Sequence, residues 1–293
     1  MLLNASIVIN YYNPTNSRRL LYQTLLCVES YRENGKDINI VLVDGSGSGC
    51  NSDLKRSLQE SNSYYLYFSQ KKSFAEGYNA GIRYVGENWK TEYIVLSAND
   101  IVVSPQTIAK LTEEMNGGQI GCVIPYLSMS DLLCQNSRYE SGTCLPTGMT
   151  LNVNMFRVDD LFAIGLVPEE LSGYFNDLVM FRRLRMLGKV IKLVNAGNIY
   201  HFGKSTTGIS SNASLQKDKA TFWALYPDCA PINANAWLKY AMFAQTRSSR
   251  LFWSFFDHIP GKLVQRVILL GYYALLELRR TLIKCHIMPF VKG

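Results

Sequence analysis

The chain lacks the residue patterns from which disulfide scaffolds and small metal domains are built. Its 293 residues include seven cysteines, an odd number, and no two of them form a CxxC pair. This scatter argues against a disulfide framework or a zinc site and is typical of a reducing cytoplasm. The first residues also lack the basic region of a signal peptide, so we expect none.

Glycine-rich phosphate loops are missing as well. The 21 glycines form neither a GxGxxG pattern nor a Walker loop, which argues against the usual dinucleotide and ATP sites. Charged residues make up 18% of the chain and hydrophobic residues 47%. That composition is typical of a globular protein and excludes a disordered one.

Positive charge is concentrated at the C-terminal end. The formal charge of +7 arises in residues 236–293, which hold nine Lys or Arg and two acids. An apolar run at 267–276 is shorter than the about 20 residues that span a bilayer. Aromatic, apolar and basic residues together favour a helix on an anionic membrane surface. The alternative is a helical pair packed on the catalytic domain or on another subunit, and no nucleic-acid-binding motif accompanies the charge.

Short apolar runs alternate with helical patterns through residue 126. This alternation predicts a mainly parallel sheet with right-handed crossovers. Two of the predicted strands end in a carboxylate, Asp44 and Asp100. Because ligands bind beyond the carboxyl ends of such strands, both acids are candidates for a ligand or metal site. A turn-capping role is the alternative for Asp100.

Several helix starts can be predicted from capping residues. Asn16 or Ser17 is expected to cap the first helix and Ser52 the next. Pro105 fits the first position of a later helix. The adjacent acids Asp159 and Asp160 favour the start of a short helix, where their charge is stabilising.

Four segments then occur in a fixed order, and together they resemble a known family. They are residues 6–13, ending in a Tyr-Asn pair; Val43–Ser46, a Val-Asp-Gly-Ser loop; Phe74–Gly81, reading Phe-Ala-Glu-Gly-Tyr-Asn-Ala-Gly; and Ala98–Asp100. The order and spacing resemble an inverting family 2 glycosyltransferase, and the third segment resembles its rhamnosyltransferase-like members. The resemblance implies the α/β GT-A fold, a Rossmann-like, mainly parallel sheet that binds nucleotide-diphospho-sugars. We predict a catalytic domain over residues 1–210 and a helical, basic extension over 211–293.

The resemblance also implies a set of substrate-binding residues. Asp44 would contact the nucleotide base, and Gly148 would line the acceptor side. The predicted substrate-binding residues are Tyr11, Asn13, Asp44, Ser46, Phe74, Gly77, Asn79, Asn99, Gly148, Lys204 and Ser205.

A divalent metal, Mn²⁺ or Mg²⁺, is the implied cofactor. Ala98–Asp100 falls at the family's Asp-x-Asp motif, but Ala98 replaces the first acid and has no metal or ribose ligand to offer. Asp100 keeps the position of the acid that usually coordinates the metal. His201, in a His-x-Gly-x-Ser-like loop, is the second predicted ligand, since imidazole and carboxylate both bind divalent ions.

The catalytic base is predicted at Asp177. Transfer with inversion needs a group that takes the proton from the attacking acceptor hydroxyl, and a carboxylate can do so. Residues 172–184 resemble the family's Glu-Asp segment, with Asn176 in place of Glu and Asp177 retained. A helix N-cap is the alternative role for Asp177.

The sequence therefore predicts transfer of a sugar from a nucleotide-sugar to an acceptor hydroxyl, in surface polysaccharide or lipid-linked saccharide synthesis. The expected place is the cytoplasm, at the inner face of the plasma membrane, and a homo-oligomer is compatible with the pattern. Two other functions stay open. One is a non-catalytic nucleotide-sugar-binding or scaffold protein, which the replacements Ala98 and Asn176 would allow; the other is a nucleotidyltransferase.

Overall fold

The computed structural model describes residues 4–35, 37–59, 62–125, 129–130, 151–202 and 212–226, together with residues 267 and 271. The chain divides into two compact units, Met1–Tyr226 and Pro227–Gly293. The first unit carries every predicted site residue. Almost all of the second unit, and with it most of the predicted basic extension, lies outside the described residues.

Ten strands and seven helices are formed by the described part of the chain. The strands are β1 (Ala5–Tyr11), β2 (Asn39–Asp44), β3 (Ser63–Tyr67), β4 (Tyr93–Ala98), β5 (Ile101–Val103), β6 (Ile120–Pro125), β7 (Met129–Ser130), β8 (Val153–Arg157), β9 (Val190–Val194) and β10 (Ile199–His201). The helices are α1 (Arg18–Arg32), α2 (Ser52–Ser57), α3 (Phe74–Asn88), α4 (Thr107–Glu114), α5 (Val158–Ala163), α6 (Asn176–Met186) and α7 (Asn212–Leu225).

Seven of the strands form the central sheet, in the order β3-β2-β1-β4-β8-β6-β9. β1 pairs in parallel with both β2 and β4, and β3 continues the parallel set. β8 runs antiparallel between β4 and β6. Because β8 opposes both neighbours, β6 and its parallel partner β9 point the same way as β1. The predicted α/β class and mainly parallel sheet are confirmed.

A second, three-stranded sheet was not predicted. Its order is β5-β10-β7, and β5 follows β4 after a two-residue turn. β10 pairs antiparallel with β5, so that His201 lies opposite Ile101. These strands are too short to leave a periodic signal in the sequence, and their pairing joins segments about a hundred residues apart.

The helix starts agree only in part with the predicted caps. Ser17 caps α1 as expected, and α5 contains both predicted acids in its first turn. Asn51 rather than Ser52 caps α2, with its side chain accepting from the next backbone N–H groups. Pro105 is not the first helical residue, because Gln106 adopts a left-handed φ of 71° and α4 begins at Thr107.

The central sheet is buried on both faces. On one face α1, α2 and α4 contribute apolar side chains such as Val28, Leu54 and Leu111. On the other face α3, α5 and α6 contribute side chains such as Tyr78 and Leu184. Burying each such side chain contributes roughly 1.5 to 3 kcal/mol, so the sheet and its helices form a rigid support for the loops at its edges.

Close packing of α3 on the sheet depends on two glycines. A Cβ at Gly77 would overlap Oδ1 of Asn10, and one at Gly81 would overlap Cγ1 of Val8. Asn10 donates from Nδ2 to the carbonyl oxygen of Phe74 at 3.0 Å. The start of α3 is therefore held against the carboxyl end of β1.

No helix in the described ranges combines the length and the apolar composition that crossing a bilayer requires.

Candidate active site

Parallel pairing brings the predicted donor-binding segments together at one edge of the sheet. Tyr11 at the end of β1 lies opposite Asp44 at the end of β2. On the other side of β1, Asn10 lies opposite Ala98 at the end of β4. Asp44 and Asp100 therefore follow strands that end at the same edge, as the sequence predicted.

The loops after β1 and β2 are cross-linked by hydrogen bonds. The backbone N–H of Asn13 donates to Oγ of Ser46 at 2.8 Å, and the backbone N–H of Ser46 donates to Oδ1 of Asp44 at 3.0 Å. The Asn13 side chain donates to the hydroxyl of Tyr11 and to the carbonyl of Ser17, and it accepts from the Ser17 N–H. The Asn13 side chain therefore stabilises the loop itself. A substrate bound at Asn13 would have to use the same polar atoms that make these hydrogen bonds.

Tyr65 is a neighbour of Asp44 that the sequence did not single out. Its hydroxyl donates to Oδ2 of Asp44 and accepts from the backbone N–H of Asn51 at 3.0 Å. Burial and the Asp44 carboxylate raise the pKa of Tyr65 far above its usual value, which keeps the hydroxyl protonated as a donor. Asp44 is only 1% exposed, and these two donors fix its orientation.

Asp100 and His201 are brought into direct contact. Nε2 of His201 lies 3.2 Å from Oδ1 of Asp100, and both side chains are buried. Pairing of β10 with β5 produces this contact, because His201 lies opposite Ile101, the residue after Asp100. The backbone N–H of Phe202 also donates to the carbonyl oxygen of Asp100 at 3.0 Å.

This pair has the donor set of a divalent cation site. A carboxylate oxygen and an imidazole nitrogen suit Mn²⁺ and related ions, and two adjacent ligands of one octahedral ion with bonds near 2.1 Å lie about 3 Å apart. Nδ1 of His201 is buried and finds no hydrogen-bonding partner in the described structure. Within the described ranges no group of three or more His, Cys, Asp or Glu forms a complete metal cluster. An ion held here would therefore complete its shell with substrate phosphates and water, as Mg²⁺ usually does.

The two residues before Asp100 are bound into the fold. The backbone N–H of Ala98 donates to the carbonyl of Asn152 at 2.8 Å, and its methyl group packs against the core. Asn99 is 4% exposed and donates from Nδ2 to Oγ1 of Thr24 in α1 at 2.9 Å. These contacts fix the turn that presents Asp100.

Asp177 lies in the first turn of α6, at the same edge of the sheet. The preceding loop accepts a hydrogen bond at the Ser172 carbonyl from the backbone N–H of Phe74, where α3 begins. The Asp177 carboxylate is half-buried and accepts from the backbone N–H of Leu178 at 2.9 Å. Desolvation raises the pKa of Asp177 to about 6, against a smaller opposite effect of its backbone hydrogen bonds.

Asn176 stands beside Asp177 but turns inward. It is 1% exposed, and neither Oδ1 nor Nδ2 has a hydrogen-bonding partner within the described part of the chain. A buried amide without partners is unfavourable by roughly 1 to 3 kcal/mol. Glu in this position would bury a charge, so the replacement of Glu by Asn removes that penalty while keeping a polar group.

The predicted contacts Phe74, Gly77 and Asn79 all lie in α3 and serve its packing. Asn79 is 1% exposed and donates to the carbonyl of Val167 and to Oε1 of Glu169, both at 2.8 Å. It also accepts from the Val167 N–H at 2.9 Å. Phe74 packs edge-on against Tyr78, with ring centroids 4.7 Å apart. These contacts account for the motif without a ligand, and substrate binding by its residues stays a prediction.

Three of the predicted substrate-binding residues, Gly148, Lys204 and Ser205, lie outside the described residues.

One further residue was missed altogether. Asp218 in α7 is fully buried and accepts hydrogen bonds from the loop before Asp177. A single Asp within a helix carries no periodic or motif signal.

Comparison with solved structures identifies the fold. S. aureus TarS residues 1–349, in complex with UDP, superimposes with a TM-score of 0.58 at 12% identity, covering 84% of this chain and 74% of that one. The mannosyltransferase PcManGT from Pyrobaculum calidifontis, in complex with GDP-Man and Mn²⁺, gives 0.53 at 13% identity, covering 86% and 79%. GalNAc-T7 with UDP, GalNAc and Mn²⁺ gives 0.54 at 11% identity, covering 87% and 57%. The chain has the GT-A fold of these glycosyltransferases.

The sequence itself points to the same family. Residues 6–141 match the family model described as glycosyl transferase family 2. The resemblance inferred from the motifs is confirmed at this level, and the rhamnosyltransferase-like detail stays a prediction. No curated protein sequence gives a significant match.

We expect Asn79→Ala to destabilise the protein by about 1 to 3 kcal/mol, because it leaves the buried N–H and C=O groups of Val167 without partners. Urea unfolding measures the change. Asn88→Ala on the same helix removes only an exposed hydrogen bond to Tyr84 and should change stability by less than about 0.5 kcal/mol. Unchanged stability together with weakened binding of a nucleoside diphosphate would instead make Asn79 a ligand contact.

Proposed function

We propose that this protein is an inverting glycosyltransferase that moves a sugar from a nucleotide-sugar to an acceptor hydroxyl. One arrangement carries the proposal. The buried pair Asp100–His201 lies where β4 ends, and the loop before Asp177 is hydrogen-bonded to the start of α3 at the same edge of the sheet. The pKa of Asp177 is raised to about 6. A pair able to hold a divalent ion and a base active near neutral pH are what this reaction requires.

The donor nucleotide is assigned to the loops after β1 and β2. Asp44 is oriented by Tyr65 and the Ser46 N–H, so it can present a carboxylate oxygen to an N–H group of the base. Tyr11 and Ser46 flank it. TarS has been solved with UDP and PcManGT with GDP-Man, which supports a nucleotide-sugar as the donor here.

The diphosphate is assigned to Asp100 and His201. A divalent ion held by these two residues would supply electrostatic stabilisation of the nucleoside diphosphate as it leaves. The chain's own contribution is to hold the carboxylate and the imidazole in contact before the ion arrives. The Mn²⁺ in the PcManGT and GalNAc-T7 structures supports a metal of this kind.

Asp177 is assigned as the general base. It takes the proton of the acceptor hydroxyl while the hydroxyl oxygen bonds to the anomeric carbon and the bond from that carbon to the diphosphate oxygen breaks. The electron pair of the broken bond leaves on the nucleoside diphosphate, and the proton remains on Asp177. A single displacement of this kind inverts the anomeric centre, because no protein nucleophile intervenes.

The acceptor is proposed to be a saccharide or a lipid-linked saccharide at an anionic membrane surface. Support comes only from the basic and aromatic composition of residues 236–293. The full chain should sediment with vesicles containing anionic lipid and not with neutral ones, and added salt should release it. Absence of the protein from both kinds of vesicle pellet would remove the membrane from the proposal.

Donor binding can be tested without knowing the acceptor. We expect one of UDP, dTDP, GDP or CDP to raise the melting temperature with Mn²⁺ or Mg²⁺ present, since ligand at 100 times its Kd adds about 2.7 kcal/mol to stability. Asp100→Ala should remove the metal-dependent part of the shift. Glu87→Ala, an exposed acid on α3, is the control and should keep it.

The same panel separates the rival functions. A shift with a nucleoside diphosphate but no turnover of any nucleotide-sugar would favour a non-catalytic binding protein. Release of pyrophosphate from a nucleoside triphosphate would favour a nucleotidyltransferase. No shift with any diphosphate, with or without metal, would contradict the proposed donor site.

The base assignment predicts a particular pH dependence. Because Asp177 must be deprotonated to accept a proton and its pKa is raised to about 6, kcat/KM should fall as the pH is lowered through about 6. Asp177→Asn should reduce kcat by about 10² to 10⁴ without weakening donor binding. Asp159→Asn, an exposed acid in the first turn of α5, should retain full activity; a wild-type acidic limb that survives in Asp177→Asn would exclude Asp177 as the base.

A further inference from the structure

Asp218 is a fully buried carboxylate whose hydrogen bonds all go to one short loop. Oδ1 accepts from the backbone N–H of Ser172 at 3.0 Å and from its hydroxyl at 2.8 Å. Oδ2 accepts from the backbone N–H groups of Gly173 and Tyr174, both at 2.9 Å. Successive N–H groups that converge on one anion form a nest, and here the anion is a side chain of α7.

The loop that Asp218 holds leads directly into the first turn of α6. Phe175, the last residue before the helix, adopts a left-handed φ of 67°. For a residue other than glycine this conformation is unfavourable by roughly 1 to 3 kcal/mol and persists only when its surroundings impose it. Its ring stacks on Phe222 of α7, with centroids 5.1 Å apart. α7 therefore holds this loop through a carboxylate and through a ring.

The opposite side of the loop rests on α3. The Ser172 carbonyl accepts from the Phe74 N–H at 3.0 Å. Neighbouring charged groups make contacts with one another: the Tyr226 hydroxyl bonds Glu170 at 3.2 Å, and Arg183 lies over the Tyr226 ring. Asp218 is thus the group that joins α7 to the backbone of residues 172–174.

We propose that Asp218 is a positioning residue for the base Asp177: it fixes the loop 172–175, and with it the direction and the partial burial of the first turn of α6. This inference rests on the proposed function. It also explains why a carboxylate is needed. Four donors converge on two acceptor oxygens, whereas an Asn side chain would offer one acceptor and turn its own N–H groups toward other donors.

The test compares Asp218→Asn with the wild-type full chain. Release of the loop should expose Asp177, so the acidic limb of kcat/KM should shift from about pH 6 toward the ordinary Asp value near 4. We expect kcat to fall at least tenfold, while the Kd for the nucleoside diphosphate changes less than twofold, because Asp44 and Asp100 are untouched.

A matched control separates positioning from general destabilisation. Asp160 is also a buried carboxylate, paired with Lys189 at 3.0 Å in another part of the fold. Asp160→Asn should lower the melting temperature without moving the acidic limb. If Asp218→Asn does not fold, Ser172→Ala removes one of the four hydrogen bonds and should move the limb in the same direction by a smaller amount.

The inference is overturned if folded Asp218→Asn, or folded Ser172→Ala in its place, keeps the wild-type limb and kcat. Failure of the proposed function is recognised separately, as absence of donor binding and turnover in the wild type. In that event NMR titration of the Asp177 carboxyl carbon decides the positioning role, since its pKa should fall in Asp218→Asn and remain unchanged in Asp160→Asn.

Discussion

In-register parallel pairing of β1 with β2 and β4 is the constraint on which the candidate site depends. It places Tyr11 opposite Asp44 and Asn10 opposite Ala98, so three chain segments meet where their strands end. A slip of one residue would turn every side chain of a strand to the opposite face. The apolar side chains buried on both faces therefore fix the strand register, and the register in turn fixes the positions of Asp44 and of the turn that carries Asp100.

Many residues of the family motifs in this chain form contacts that stabilise the fold. Gly81 lets α3 approach β1, Asn79 ties α3 to residues 167–169, and Asn13 closes the loop after β1. The side-chain amides of Asn79 and Asn13 are hydrogen-bonded, which avoids the free-energy penalty of an unpaired donor or acceptor in the interior. The polar atoms of Asn13 and Asn79 form hydrogen bonds within the fold. These motif residues are therefore informative about the architecture, whether or not they also bind a substrate.

The sequence predicted what depends on local patterns and missed what depends on distant pairing. β1, β2 and β4 follow from short apolar runs, and α1 follows from apolar periodicity and its capping residue Ser17. The antiparallel insertion of β8 between β4 and β6 cannot be read from its own residues, because direction is decided by the partner strands. The Asp100–His201 contact was expected from resemblance alone, since the three-residue strands that create it have no periodic signature. Asp218 gave no signal, because three of its four donors are backbone N–H groups of a loop about 45 residues away.

Two replacements leave the candidate site with less negative charge than the family pattern implies. Ala98 removes one carboxylate from the Asp-x-Asp position, and Asn176 removes another beside Asp177. A divalent ion held by Asp100 and neutral His201 would keep a formal charge of about +1 for the diphosphate to neutralise. With only these two ligands the chain would bind the ion weakly, and the donor phosphates would complete its binding site. Beside Asp177, the neutral Asn176 avoids the repulsion of a second buried carboxylate, and desolvation is the effect that raises the pKa of Asp177.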